Sequence, residues 1–405
     1  MATDWRSLDE QYIVPTYKRL PIAIARGEGN YLYDTDGRAY LDLFTGLAVN
    51  VLGHSHPRIV QALREQGERF LHISNIFLNP PAIRLAQRLI DNTIPGKVFF
   101  SNSGAEATEA AIKLIHKWTK AEGAGRSGIA VLRNSFHGRT LGAVRLTRQP
   151  HVYQDFPQPD FPVYELDAED AEQLRAVCRS EKPAALLMEP VLGSGGVVPL
   201  SEAFLKEAEA ICREEGVLFA MDEIQTGMGR TGRLFAYQHA GVTPDLILFA
   251  KGVGGGLPLG GVIAGQRLMN LFKPGDHGTT FAPSPLSAAL GNAVLDELLD
   301  PAFCDQVSDV IGYLWGRLEE LRQRLPEQLH ALRGKGMMVG IPLNVTPEEA
   351  ARLQQNLLAA GFLVDVTQKT IVRLLPPLTL TRADVDRFID EFARQLTALG
   401  TGKEV

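Results

Sequence analysis

The sequence predicts an α/β fold with a mostly parallel sheet, and its 405 residues suffice for one large domain and a smaller one. Two observations carry this prediction. Short apolar runs that end in a polar residue alternate with amphipathic helical patterns through the middle of the chain, and this alternation is typical of parallel α/β sheets. The composition, 45% hydrophobic and 22% charged, is that of an ordinary globular protein.

The predicted elements follow in order from residue 97. Residues 97–104 (KVFFSNSG) predict a strand and a turn, and residues 105–121 a helix whose start has the capping-box spacing of Ser103 and Glu106. A second helix is predicted over residues 201–216, between a serine cap and a glycine stop. Apolar runs predict four further strands, over residues 128–134, 184–190, 217–223 and 246–252.

Charge and composition exclude several classes of function. The net charge of −6 argues against a nucleic-acid groove, and no apolar run approaches the roughly 18 residues that span a bilayer. The first 15 residues are too polar and acidic for a signal peptide, so we expect a cytoplasmic protein. Three scattered cysteines lack the spacing of metal ligands, and we expect no metal site.

Five polar residues lie just after the predicted strands: Ser103, Asn134, Glu189, Asp222 and Lys251. Because the carboxyl ends of parallel strands share one edge of a sheet, and ligands bind at that edge, we expect these side chains to converge on one crevice. Any one of them alone could equally be a solvated loop residue, but five together favour a site.

Lys251 and Asp222 are the residues that suggest a specific chemistry. Burial lowers the pKa of an amine and makes it nucleophilic, so Lys251 could bind an aldehyde cofactor covalently. A carboxylate such as Asp222 can keep the ring nitrogen of pyridoxal phosphate protonated. The alternatives are a lysine that snorkels to solvent and an aspartate that only caps a turn.

Further residues are of types that bind a phosphate group or a substrate carboxylate. The backbone N–H groups of Gly104 and Ala105 open a predicted helix beside the Ser103 hydroxyl, as phosphate sites often do. Phe136 could stack on a pyridine ring, and Arg139 could bind a carboxylate. Arg373, in the apolar stretch TIVRLLPPL, must be paired either by a protein acid or by a ligand carboxylate.

At these residues the chain resembles the class III (subgroup II) pyridoxal phosphate-dependent aminotransferases of fold type I. The resemblance covers nearly the whole chain and is most specific over residues 218–261 (LFAMDEIQTGMGRTGRLFAYQHAGVTPDLILFAKGVGGGLPLGG), with support from FFSNSGAEATEAAIKL, NSFHGRT and VRLLPPLT. It implies a seven-stranded, mostly parallel sheet in a large domain, residues 46–285. A smaller α+β domain would combine residues 1–45 with residues 286–405.

The resemblance also implies a role for each matching residue. Lys251 would hold pyridoxal 5′-phosphate and move the substrate proton, Asp222 would pair with the ring nitrogen, and Gln225 would reach the ring 3′ oxygen. Phe136 would stack on the ring, while Ser103, Gly104 and Ala105 would hold the phosphate together with Thr280 from the neighbouring subunit of a homodimer. The implied substrate-binding residues are Arg373 for the α-carboxylate of glutamate or 2-oxoglutarate, Arg139 for the distal carboxylate, Tyr17, Glu189 and Ser194.

The activity this implies is transfer of a terminal amino group to 2-oxoglutarate, most like the N-acetylornithine branch of the family in arginine biosynthesis. The alternatives are chemistry like that of 2,2-dialkylglycine decarboxylase, a 4-aminobutyrate-type enzyme, and a family member that has lost catalysis and only binds. Retention of Lys251 and Asp222 argues against the last of these.

The turn after Glu189 departs from the family pattern. Relatives often read EPxQGEGG there, whereas this chain reads EPVLGSGG, so that Ser194 stands where a glutamate would pair with the arginine that matches Arg373. Serine carries no charge to do this. We therefore expect Arg373 to be unmasked, which would favour donors that present an α-carboxylate to it over plain terminal amines. The loop TTFAPSP (279–285) also departs from the family pattern, without a physical explanation.

Overall fold

The computed structural model describes residues 3–122 and 125–401. Its strands are β1 (Ile24–Glu28), β2 (Tyr31–Asp34), β3 (Ala39–Asp42), β4 (Gly96–Ser101), β5 (Ile129–Leu132), β6 (Val163–Leu166), β7 (Ala185–Met188), β8 (Val191–Leu192), β9 (Val198–Pro199), β10 (Leu218–Asp222), β11 (Leu246–Phe249), β12 (Gly260–Gly265), β13 (Arg333–Lys335), β14 (Met338–Pro342), β15 (Phe362–Leu363), β16 (Asp365–Thr367) and β17 (Ile371–Leu374).

The helices are α1 (Trp5–Tyr12), α2 (Thr45–Ala48), α3 (Pro57–Gly67), α4 (Pro80–Asp91), α5 (Gly104–Glu122), α6 (Leu141–Leu146), α7 (Pro150–Tyr153), α8 (Ala171–Ser180), α9 (Glu202–Glu215), α10 (Pro285–Leu298), α11 (Pro301–Arg324), α12 (Pro347–Ala359) and α13 (Arg382–Thr401). Two short 3₁₀ turns lie at Ala236–His239 and Lys251–Gly254. No described helix combines the length and the apolar character needed to cross a membrane.

The central sheet has seven strands in the order β4-β12-β11-β10-β7-β5-β6, which confirms the predicted architecture. Strand β12 runs antiparallel to both of its neighbours, and the other pairings are parallel. The carboxyl ends of β4, β5, β7, β10 and β11 therefore lie along one edge of the sheet.

Both faces of this sheet are covered, as the uninterrupted apolar runs require. Every residue of β5, β7, β10 and β11 is buried. Alternate residues of β7 enter different apolar clusters: Leu186 and Met188 belong to one, Ala185 and Leu187 to the other. This period of two is the one expected of a strand that is packed on both sides.

The predicted helices are confirmed, although one cap differs. Ser201 caps α9 through a bond from Phe204 N to Ser201 Oγ of 3.0 Å, and Gly216 ends the helix in the left-handed conformation. At the start of α5, Ser103 Oγ accepts from Glu106 N at 3.2 Å, as predicted. The Glu106 carboxylate accepts from Asn102 N at 2.6 Å, one residue before the position that a capping box would use.

Two smaller four-stranded sheets, in the orders β1-β2-β3-β15 and β13-β14-β17-β16, and the two-stranded sheet β8-β9 complete the described fold. The first of them joins distant parts of the chain, since Phe362 and Leu363 of β15 pair in parallel with Leu41 and Asp42 of β3. This pairing supports a small domain built from residues 1–45 and 286–405 around a large domain of residues 46–285, a division that we keep as a proposal.

Candidate active site

Three predicted site residues lie at the carboxyl edge of the central sheet. Asp222 is the last residue of β10, Glu189 directly follows β7, and Lys251 comes two residues after β11. The predicted strand over residues 246–252 ends early, at Phe249, so Lys251 lies in a 3₁₀ turn rather than in the strand. Its φ of 51° is in the left-handed region, a strained conformation that often marks functional residues.

The environment of Lys251 favours the neutral amine. Burial, followed by the positive charge of Arg373, lowers the pKa of Lys251 to about 8, although the carboxylates of Asp222 and Glu189 act in the opposite direction. Of the five residues expected to converge, Lys251, Asp222 and Glu189 therefore lie close enough for their charges to interact. A neutral amine at near-neutral pH can act as a nucleophile and as a base.

Asp222 is fixed by two hydrogen-bond partners. His137 Nδ1 lies 2.7 Å from Asp222 Oδ2, and Ile224 N donates to Asp222 Oδ1 at 3.1 Å. Asp222 and His137 are both buried, and a ring nitrogen beside a carboxylate acts as the donor. The sequence reasoning missed His137, although it lies in the NSFHGRT motif, because nothing local indicates a partner 85 residues away.

Glu189 ties the loop after β5 to the turn after β7. Phe136 N donates to Glu189 Oε1 at 2.8 Å, and Gly193 N donates to Glu189 Oε2 at 3.1 Å. Burial raises the pKa of Glu189 to about 7, against the lowering effect of His137 and of the two N–H groups. Glu189 thus positions Phe136 and Gly193 at the edge of the crevice.

The crevice fits a flat aromatic cofactor with polar substituents. Gln225 Oε1 is buried and has no hydrogen-bond partner among the described residues, as expected of an atom that awaits a ligand. A Cβ at Gly193 would overlap this oxygen, and a Cβ at Gly104 would lie 2.9 Å from the Ile224 side chain. The residue types therefore fit pyridoxal phosphate, with Asp222 for its ring nitrogen and Gln225 for its 3′ oxygen.

The amino end of α5 is where we expect a phosphate to bind. Gly104 and Ala105 are the first residues of the 19-residue helix α5, so their N–H groups have no partner within the helix. Ser103 immediately precedes them and is exposed. Thr280 is exposed in the loop before α10, and Asn102 Nδ2 holds that loop through Thr279 Oγ1 at 2.9 Å.

The contacts of Arg373 contradict one expectation from the sequence. Its Nε and Nη2 donate to Asp365 Oδ2 at 2.9 and 2.6 Å, and its Nη1 donates to the Gly193 carbonyl at 3.2 Å. The prediction that Arg373 is unmasked is therefore wrong, because a protein carboxylate supplies the charge that Ser194 lacks.

The other predicted substrate residues lie outside this cluster or at its rim. Arg139 is exposed, with its guanidinium carbon 5.7 Å from the centre of the Phe136 ring. Ser194 is half-buried in the turn after β8. Tyr17 is exposed in the segment after α1, with Arg19 over its ring at 5.9 Å.

Comparisons with known proteins identify relatives that match almost the full chain. The family model for aminotransferase class-III matches residues 12–396. The acetylornithine aminotransferase of Caldanaerobacter subterraneus subsp. tengcongensis is 40% identical over 93% of this chain and 95% of its own.

Two solved structures share the fold. The ornithine aminotransferase of Toxoplasma gondii superposes with a TM-score of 0.92 at 28% identity, over 100% of this chain and 97% of its own. The acetylornithine aminotransferase of Elizabethkingia anophelis superposes with a TM-score of 0.87 at 32% identity, over 97% and 98% of the two chains.

Proposed function

Because the chain belongs to the class III aminotransferases and is a pyridoxal phosphate-dependent enzyme, we propose that it transfers the terminal amino group of N-acetylornithine to 2-oxoglutarate. The products are the semialdehyde and glutamate, and the reaction belongs to arginine biosynthesis in the cytoplasm. One observation of the site supports this best. The positive charge of the buried Arg373 guanidinium lowers the pKa of Lys251, so a group that can anchor a carboxylate lies within electrostatic range of the reacting amine.

Bound pyridoxal phosphate supplies an aldehyde that takes up the amino group and a ring that delocalises the electron pair left on the donor carbon. Asp222, held by His137 and Ile224 N, keeps a negative charge at the ring nitrogen. The N–H groups of Gly104 and Ala105, with Ser103, would bind the phosphate. Gln225 would bind the 3′ oxygen, and Phe136 would stack on the ring.

Lys251 anchors the cofactor and moves the proton. With the donor bound, the freed Nζ of Lys251 would accept the proton from the carbon that bears the donor's amino group. A pKa near 8 leaves a useful fraction of the amine neutral at pH 7 and still lets it return the proton. The keto acid then runs the same sequence in reverse, so the kinetics are ping-pong.

Two arginines distinguish the substrates. Arg373 binds the α-carboxylate of glutamate and 2-oxoglutarate, close to the reacting carbon. The exposed Arg139 binds the carboxylate remote from the reacting amine, which is the distal carboxylate of glutamate and the α-carboxylate of N-acetylornithine. In this proposal Glu189 and Ser194 also belong to the substrate site, and Tyr17 would reach it from the exposed segment after α1.

The test is a donor panel against 2-oxoglutarate with purified holoenzyme. N-acetylornithine should give the highest kcat/KM among N-acetylornithine, ornithine and 4-aminobutyrate, with glutamate as the product. Release of carbon dioxide from a 2,2-dialkylglycine would instead identify the decarboxylating branch. Activity should vanish in Lys251→Ala, and a Lys251→Ala protein that turns over N-acetylornithine would contradict the proposal.

The enzyme is a homodimer in this proposal, with Thr280 completing the partner's phosphate site. A large apolar surface on one side of the chain supports it: Ile76 is 84% exposed, Leu78 84% and Phe281 66%. Asn75 joins the two loops that carry these residues through bonds from its Nδ2 to Thr279 O at 2.8 Å and to Ala282 O at 3.0 Å. Ile76→Asp should dissociate the dimer in sedimentation velocity and weaken cofactor binding, and an unchanged dimer would place the interface elsewhere.

A further inference from the structure

The ion pair between Asp365 and Arg373 is built into the register of a hairpin. Strands β16 and β17 are antiparallel, and Asp365 lies directly opposite Arg373, so that both side chains project from the same face. The Arg373 side chain is only 6% exposed, whereas that of Asp365 is 25% exposed. The carboxylate therefore reaches solvent while the guanidinium does not.

This hairpin also holds the turn that carries Ser194. Arg373 Nη1 donates to the Gly193 carbonyl at 3.2 Å, and Gln368 Nε2 donates to the Ser194 carbonyl at 2.8 Å. Thr367 Oγ1 makes a longer contact of 3.4 Å to the same carbonyl. The turn thus contributes two backbone acceptors, and the charge that neutralises Arg373 comes from the hairpin.

A substrate carboxylate and Asp365 need the same donors. Nε and Nη2 of Arg373 both donate to Asp365 Oδ2. The same two groups form the edge of a guanidinium that binds a carboxylate through two parallel hydrogen bonds. A buried guanidinium must stay paired, so one carboxylate has to replace the other. Because Asp365 lies on an edge strand and is partly exposed, its carboxylate can be hydrated after it leaves.

We propose that Asp365 is a specificity-determining residue that competes with the substrate's α-carboxylate for Arg373. The inference rests on the proposed function, in which Arg373 binds the α-carboxylate of 2-oxoglutarate. The pair stays closed while a terminal amine reacts, since that donor places its carboxylate at Arg139. It opens only for a dicarboxylate, so Asp365 disfavours α-amino acids as donors and weakens the binding of the keto acid.

The test measures binding separately from turnover. Glutarate, an unreactive dicarboxylate, is titrated into the holoenzyme by calorimetry. Asp365→Asn and Asp365→Ser should each bind glutarate about tenfold more tightly than the wild type, the scale of one charge-assisted hydrogen bond. Asp309→Asn breaks an exposed ion pair with Arg382 and is the matched control, with no change expected.

The kinetic constants of the Asp365 variants should also show tighter binding of dicarboxylates. In Asp365→Asn the KM for 2-oxoglutarate should fall, and kcat/KM for glutamate as donor should rise relative to that for N-acetylornithine. Equal glutarate affinity in the wild type and both Asp365 variants would overturn the role of Asp365 and leave the proposed function standing. Failure of glutarate to bind to any of these proteins would overturn the dicarboxylate site itself, and this inference with it.

Discussion

Replacing Asp222 with asparagine removes one negative charge from the floor of the site and leaves the side-chain volume almost unchanged. Asp222 is 3% exposed and its carboxylate is held by His137 and by Ile224 N, so the charge cannot be replaced by water or by a moving side chain. Breaking a buried ion pair by removing one partner costs about 3–5 kcal/mol. At about 1.36 kcal/mol per tenfold change in rate, turnover should fall by roughly 10²–10⁴-fold.

The fold should tolerate this change better than the chemistry does. The asparagine oxygen still accepts from His137 Nδ1, whereas its amide nitrogen cannot accept from Ile224 N, so the free energy of unfolding should fall by about 1–3 kcal/mol. Asp222→Ala leaves both His137 Nδ1 and Ile224 N without an acceptor, which should cost about 1–3 kcal/mol for each group.

The assay pairs kcat of transamination with urea unfolding of the cofactor-free protein. Asp309→Asn, which has the same chemical change at a surface ion pair, is the control for both measurements. An Asp222→Asn enzyme whose kcat lies within tenfold of the wild type would refute the assignment of Asp222 to the ring nitrogen.

Three further predictions follow from the same geometry. Because burial lowers the pKa of Lys251 to about 8, the rate at which pyridoxal phosphate attaches to the cofactor-free protein should rise with pH and level off near 8; a rate still rising at pH 10 would contradict this. The pKa of Glu189 is raised from 4.5 to about 7, so its stabilising effect is present at low pH and is lost as pH rises through 7. The free energy of unfolding of Glu189→Gln, measured in urea, should therefore rise relative to that of the wild type by about 3 kcal/mol between pH 4.5 and 8. A difference in free energy that stays constant over this range would argue against the raised pKa of Glu189. Gly193→Ala should displace the Gln225 side chain and speed cofactor dissociation, measured by dilution, whereas Gly312→Ala, which meets no atom within 4 Å, should not.

The residues at the strand ends could be predicted because their positions follow from the sheet alone. Buried apolar runs that alternate with helices give parallel strands, and parallel strands bring their carboxyl ends to one edge. Asp222, Glu189 and Lys251 needed no further information. His137 was missed because its pairing with Asp222 depends on how the loop after β5 folds over the sheet, and local sequence does not encode that path.

Asp365 was missed for a different reason. In the three-residue loop 368–370 between β16 and β17, Gln368 and Lys369 have φ of 47° and 68°, a conformation usually signalled by glycine or asparagine. Without that signal the sequence does not predict a hairpin, and without the hairpin nothing places Asp365 opposite Arg373. The substitution at Ser194 was visible, but its compensation lies in the register of an unpredicted strand pair.

The central claim is that the terminal nitrogen of N-acetylornithine passes to 2-oxoglutarate at a site built on Lys251. It is tested most directly by incubating the holoenzyme with 2-oxoglutarate and N-acetylornithine that carries an isotopic label on its terminal nitrogen, followed by mass spectrometry of the glutamate formed. We expect labelled glutamate from the wild type and none from Lys251→Ala. Unlabelled glutamate, or label that stays in the donor when the wild type is used, would contradict the account.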